Sequence, residues 1–408
     1  GGAAGGSGGG AAGGSGGGAA GGSGGGAAGG SSAGAGGGGG GAAGGSAGGS
    51  SGGAAGGSAG GSSGGAAGGS GGGAAGGSGG GAAGGTSTPT DFVVVLVGDG
   101  ALPLSTSTAP VFLERRSIAT GALIISVPMP TASAGANLPF TLVGNASPDG
   151  ALSRSADGRL LTLQGYQSPP DTAAASLNGV PRVVAIVDHP DFGPSPSIQT
   201  NTTLGTTFAN TAPRSAVANG NTLWVVGGAG GTFVTSAGSS SVPVNIASTP
   251  ATLRVVGIFS GELYVTTGTA PAGLYQVGAG LPLVSTTATL VVPTTSPYSF
   301  AVFDLNPTEP GVDTIYLVDD SGGAGIKRFT RSAGAWGQTA DAVLGPPVRQ
   351  AACFRDGADV VCVASSSSTL YRLRDVNASL PSSQSAMTVL GTAFPNTGFR
   401  GINLAPVP

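Results

Sequence analysis

His189 is the single histidine of the chain. It stands in Val187-Asp188-His189-Pro190-Asp191, where an imidazole between two carboxylates could ligate a metal or move a proton. Zinc and general-base chemistry usually need more nitrogen or sulfur ligands than this chain owns, so a loop histidine following a strand is the expected reading. Asp319-Asp320-Ser321-Gly322-Gly323, with Asp304 and Asp313, has the look of a loose calcium loop. It lacks the alternating oxygen ligands of a true one, and a plain turn is expected there. Gly5-Gly6-Ser7-Gly8-Gly9 spells a nucleophile motif, but it lies in a glycine repeat that neither follows a buried strand nor opens a helix. These positions leave no catalytic residue, no metal set and no cofactor motif to name.

Trp224 and Trp336, with Tyr166, Tyr264 and Tyr275, could line a sugar-binding face, although blades of stacked strands bury such side chains routinely. Glu114-Arg115-Arg116 reads as a solvated strand end. Cys353 and Cys362 sit on the two arms of an expected hairpin around Asp356-Gly357, which makes a cross-strand disulfide the natural pairing. Two cysteines without a C-x-x-C pattern argue against a metal cluster. Three sequons, at Asn145, Asn201 and Asn377, are candidate glycosylation sites, the first weakened by Pro148.

What must position these residues is a series of strands. From Phe92 onward the chain is made of short β-branched runs separated by Gly, Pro, Asn, Asp and Ser, and no helix of three turns is expected. One unit recurs: an apolar strand, a tight turn with Asp-Gly, Asn-Gly or Ser-Gly, and a second apolar strand. Those dipeptides suit two-residue hairpins, whose turns need positive φ. Anchored on Ala151, Ser215, Val255, Ala301, Ala351 and Gly401, the unit repeats at intervals of 64, 40, 46, 50 and 50 residues. Four-stranded propeller blades repeat at roughly 40–50 residues. The expected fold is an all-β propeller of six blades, or seven if the longest interval hides another. Gly398–Pro406 reads as an inner strand whose blade is completed by Phe92–Gly98, Val111–Glu114 and Gly121–Val127, so the two ends of this region close the ring together.

The stretches VVVLVGDG (93–100), SADGRLLTL (155–163) and FRGINLAP (399–406) resemble secreted bacterial β-propeller proteins of uncertain function, over nearly all of residues 91–408. The resemblance implies a scaffold and carries no catalytic residue with it.

Ahead of this region lies a tract of a different kind. Residues 1–90 hold 50 of the 84 glycines and no charged residue, so the chain divides into a low-complexity tract, 1–90, and a propeller, 91–408. GGAAGGSG begins at residues 1, 9 and 17, and two GGAAGGSAGGSS units fill 40–63. The deeper period is four. A flexible linker does not need such register, whereas stacked strands with alternating glycine and small residues do. A polyglycine II helix is the other ordered option, and a coil is the alternative to both.

Net charge is −3 with one histidine, which leaves no electrostatic footprint for nucleic acid. No apolar run is long enough to span a bilayer as a helix. Only 15 basic and 18 acidic side chains serve the whole chain, so the surface needs glycans or self-association to be satisfied. The expected protein is therefore not an enzyme. It is an extracellular structural protein, its propeller displayed on a tract that self-assembles into a filament, sheath or surface layer. The alternative is a secreted binding module for a glycan or protein, tethered by a flexible tract.

Overall fold

The computed structural model describes residues 88–194, 196–323, 325–342, 348–378 and 387–408. Tract residues 1–87, and with them the choice among strand, polyglycine II and coil, lie outside the described residues.

The first strands are β1 (Asp91–Val97), β2 (Thr108–Ala109), β3 (Val111–Ser117), β4 (Leu123–Pro128) and β5 (Leu142–Val143). A second group is β6 (Ser153–Arg154), β7 (Leu160–Tyr166), β8 (Arg182–Asp188) and β9 (Gln199–Thr203). A third is β10 (Pro213–Asn219), β11 (Thr222–Gly227), β12 (Thr232–Ser236) and β13 (Val244–Ala247), and a fourth is β14 (Val256–Phe259), β15 (Glu262–Thr267), β16 (Gly273–Val277) and β17 (Ala288–Pro293). The fifth is β18 (Pro297–Phe303), β19 (Thr314–Asp319), β20 (Ile326–Ser332) and β21 (Ala335–Ala342). The last are β22 (Gln350–Asp356), β23 (Asp359–Ser365), β24 (Thr369–Asp375), β25 (Thr388–Thr392) and β26 (Gly398–Leu404).

They form six antiparallel four-stranded sheets, one of them in the order β26-β1-β3-β4, while β2 and β5 pair with each other alone. The molecule is a six-bladed β-propeller whose first and last strands share a blade. The 64-residue interval hides no seventh blade. It carries a long excursion with two 3-10 turns, Ala174–Leu177 and His189–Phe192.

Local chemistry explains the strands. Residues 92–97 of β1 are all buried, because both faces of a blade meet a neighbour. Val93, Val95 and Val97 pack with Leu161, Leu163 and Val183 of the second blade. Phe92, Val94 and Leu96 pack with Phe354, Val361 and Val363 of the sixth. A strand covered on both sides reads as an unbroken apolar run instead of alternating. At the β14–β15 hairpin, Ser260 and Gly261 both take positive φ, 51° and 77°, as a type I′ turn requires.

At the waist of the ring the inner strands carry small residues. Ser215 Oγ accepts from Val256 N at 3.2 Å and Ser299 Oγ accepts from Ala351 N at 2.6 Å. Gly401 N donates to Gly150 O at 3.0 Å, and a Cβ on Gly401 would run into the backbone of Gly150 and Leu152. The space left along the axis is about 60 Å³, room for a few waters at most. All six inner strands run in one sense. Their starts, near Arg214, Arg254, Pro297, Arg349 and Gly398, gather on one face. Their ends lie on the other, where Ala405 N donates to Asp91 O at 3.0 Å.

Glu114 and Arg116 correct the expectation of a solvated strand end. Two residues apart on β3, they share the face turned to the sixth blade. Both are buried, joined Nε to Oε2 at 2.8 Å, and Arg116 also donates to Gly121 O and lies 5.8 Å over the Phe399 ring. Only Arg115 turns outward, to Asp91 at 2.7 Å.

Candidate functional site

The acidic groups singled out in the sequence serve their own backbone. Asp188 accepts from Asp191 N and Asp191 from Asp188 N, a reciprocal cap on the turn that contains His189. Asp191 accepts in addition from Ser197 N. Asp319 accepts from Thr294, Ser296 and Ser321 and pairs with Lys327 at 3.1 Å. Burial works to raise its pKa, but those hydrogen bonds win and hold the carboxyl well below the usual range. Asp313 accepts from Leu305 N and Asn306 N at the far end of the same hairpin, so Asp304 and Asp313 are not brought to Asp319 and Asp320. No grouping of three or more His, Cys, Asp or Glu able to hold a metal occurs among the described residues.

The aromatic set is dispersed. Trp224 is buried and its Nε1 donates to Pro282 O at 2.8 Å, tying the third blade to the fourth. Tyr264 and Tyr275 are core, and Trp336 is half-buried on outer strand β21. They form no common sugar-stacking surface. Cys353 and Cys362 are register partners on β22 and β23, with sulfurs bonded and Cα atoms 4.0 Å apart. Asn145 and Asn377 are exposed, and Asn201 is half-buried with its Oδ1 enclosed and lacking a partner. Native protein is expected to resist thiol alkylation until reduced, and Cys362→Ser, which frees the half-buried Cys353, to leave one thiol open to labelling at a cost of about 2 kcal/mol. Ready labelling of both cysteines in native protein, followed by mass spectrometry, would sink that pairing.

Charges the sequence reading did not single out collect where the inner strands start. Arg182, on β8, donates to the carbonyls of Val180, Ala209 and Thr211 and lies 4.3 Å over the Tyr166 ring. Arg254 donates to Ser296 Oγ and Pro297 O, and Arg349 to Asp320 and Ser147. Arg400 donates to Phe399 O and Gly144 O. Burial pulls the Arg400 guanidinium down to about 10. Arg214 differs from all of these. Its side chain makes no hydrogen bond among the described residues, and its one charged neighbour, Asp149, stands 3.8 Å away.

Asp149 is 3% exposed and its Oδ2 has no partner. Burial raises its pKa to about 6 against the pull of Arg214, Arg400 and Arg182. A carboxyl whose folded-state pKa is raised is stabilised by protonation. Keeping Asp149 ionised above pH 6 therefore costs the fold on the order of 3 kcal/mol, a penalty that fades as the pH falls from 6 towards the ordinary 3.8. A buried carboxyl perturbed in this way beside a cleft is a candidate functional position.

Asp149, Arg182 and Arg214 line an open cleft of about 410 Å³ formed by residues 143–149 ahead of the second blade, the β7–β8 connection and the residues that lead into β10. Asn145, Asn178 and Asn210 stand exposed on its rim, their amides without hydrogen bonds among the described residues. Such a cleft can hold a small polar molecule and pair a negative charge.

No family model matches the chain, and no curated protein matches it. Among solved structures, it is similar to a chain of a nidogen/laminin complex at 10% identity and a TM-score of 0.43, covering 77% of this chain and 98% of that one. A protein of Bacteroides fragilis NCTC 9343, described as a candidate 6-phosphogluconolactonase, is similar at 14% identity and a TM-score of 0.40, over 74% and 82%. A functionally unknown protein from Desulfotomaculum acetoxidans DSM 771 is similar at 11% and 0.39, over 73% and 80%. At such identities no residue role is carried across.

Proposed function

We propose that this chain is an extracellular binding module, a propeller that takes a glycan or a similar polar ligand in the Asp149–Arg214 cleft and is carried on the Gly-rich tract. The observation behind it is the cleft itself: concave, roomy, bordered by hydrogen-bonding groups the fold leaves unused, and backed by a charge the fold keeps ionised at a loss. The register of the tract supports a role beyond tethering. Small side chains in steps of four let neighbouring tracts approach to backbone contact, and only stacked copies pair every main-chain group, so order and self-association are one event. In this reading the ligand-binding ring is displayed on a filament, sheath or layer made by the tract.

One comparison tests both parts. The chain lacking residues 1–85 is expected to be a soluble monomeric ring that still binds in an oligosaccharide panel, while Ala212→Trp, which fills the cleft, removes binding from either form. If the shortened chain still polymerises, the tract is only a tether. Retention of binding by Ala212→Trp, or no binding by the intact protein, would remove the cleft from the account.

A further inference from the structure

Resting on the reading of this cleft as a ligand site, we infer that its ligand is an acidic sugar, a hydroxylated carboxylate of the uronate type, with Arg214 pairing the carboxylate. Three observations carry it. The first is the contrast among the arginines of this face: Arg182, Arg254, Arg349 and Arg400 all donate to carbonyls, hydroxyls or carboxylates of the chain. The side chain of Arg214 donates to none of the described residues. It is 19% exposed and lines the cleft. Its Nε is enclosed and its Nη1 stands 3.8 Å from Asp149 Oδ1, so the two Nη groups, which make no hydrogen bond among the described residues, are the pair that fits the two oxygens of a carboxylate.

The second observation is the charge balance. Arg182, Arg214 and Arg400 surround the single carboxylate of Asp149, leaving positive charge that nothing in the cleft neutralises. Asp149 is more than nine-tenths buried, lines the same cleft and keeps one oxygen without a partner. The third is the rim. Asn145, Asn178 and Asn210 each offer an acceptor and two donors, which suits hydroxyls that both give and take hydrogen bonds. Anion recognition in the depth of the cleft and hydroxyl recognition at its rim together describe a sugar acid.

Digalacturonate and neutral digalactoside are the probes, titrated calorimetrically against the whole protein. The acidic sugar is expected to bind at least tenfold more tightly, and the difference to shrink with added salt. Arg214→Gln is expected to abolish the preference, and Arg214→Lys to restore it only in part because the bidentate geometry is lost. The groups facing Asp149 are Arg214 on β10, Arg400 on β26, Arg182 on β8 and Tyr166 on β7. In this cluster it is Asp149 that burial brings towards neutrality, up to about 6. Protonating it removes the one negative charge beside Arg214, so affinity for digalacturonate should rise as the pH falls through 6. Asp149→Asn should bind more tightly at pH 7 and show no step at pH 6. Equal binding of the two sugars, or a preference that survives Arg214→Gln with an unchanged melting curve, overturns the inference while the cleft stands. Binding of neither sugar overturns the inference.

Discussion

A chain ending at Thr397 is expected to lose its cooperative unfolding transition. The deleted strand, β26, is the inner strand of the shared blade, in register with β1 from Phe92↔Leu404 to Val97↔Gly398. It also touches both neighbouring blades: Phe399 N donates to Ser367 O at 2.9 Å, and Asn403 Nδ2 to Leu152 O at 3.0 Å. Phe399, Ile402 and Leu404 are each 3% exposed or less. At about 1.5–3 kcal/mol apiece, these three side chains match a large share of the 5–15 kcal/mol that holds a typical domain together. Their removal uncovers the β1 edge and opens the ring to edge-to-edge pairing. Urea denaturation followed by circular dichroism and light scattering should show a broad, early transition and aggregation. A sigmoidal curve with the midpoint of the intact chain would mean that the ring does not depend on the shared blade.

Glu114→Gln is expected to destabilise the propeller by about 3–5 kcal/mol, because it leaves the Arg116 charge buried without its counter-ion. The double variant Glu114→Leu/Arg116→Met removes both charges and should recover most of that loss, since the apolar pair packs where a desolvated pair stood. Chemical denaturation of the single and double variants gives the comparison directly through their midpoints. A single variant within about 1 kcal/mol of the parent would show that the pair is solvated in solution, as its sequence context suggests.

The blades were legible because two-residue turns demand residues that tolerate positive φ and because a strand covered on both faces has no polar alternation to blur it. Asp356-Gly357 and Ser260-Gly261 marked their hairpins for that reason. Glu114 and Arg116 misled because a period of two tells which residues share a face and is silent about what that face meets. Only the closing of the ring brings the sixth blade against it, and only the shared blade, through β26, puts Phe399 beside Arg116.

The arginines were missed for a different reason. Arg214, Arg254 and Arg400 each stand one residue before an anchor of the repeat, and Arg349 stands two before. Taken one at a time they read as surface charges; taken by phase within the repeat they fall on one face. Asp149 had no signal in the sequence, since the guanidiniums that act on it, Arg182, Arg214 and Arg400, stand 33, 65 and 251 positions further on.

The tract joins the ring at Thr88–Asp91, on the face where the inner strands end, while Arg214 lies where they begin. Seven residues of extended chain put roughly 20 Å between those faces, and the waist, shut by Ser215, Ser299 and Gly401, gives no passage from one to the other. A molecule that meets the ring on the Asp91 face would have to travel around the rim to reach Arg214.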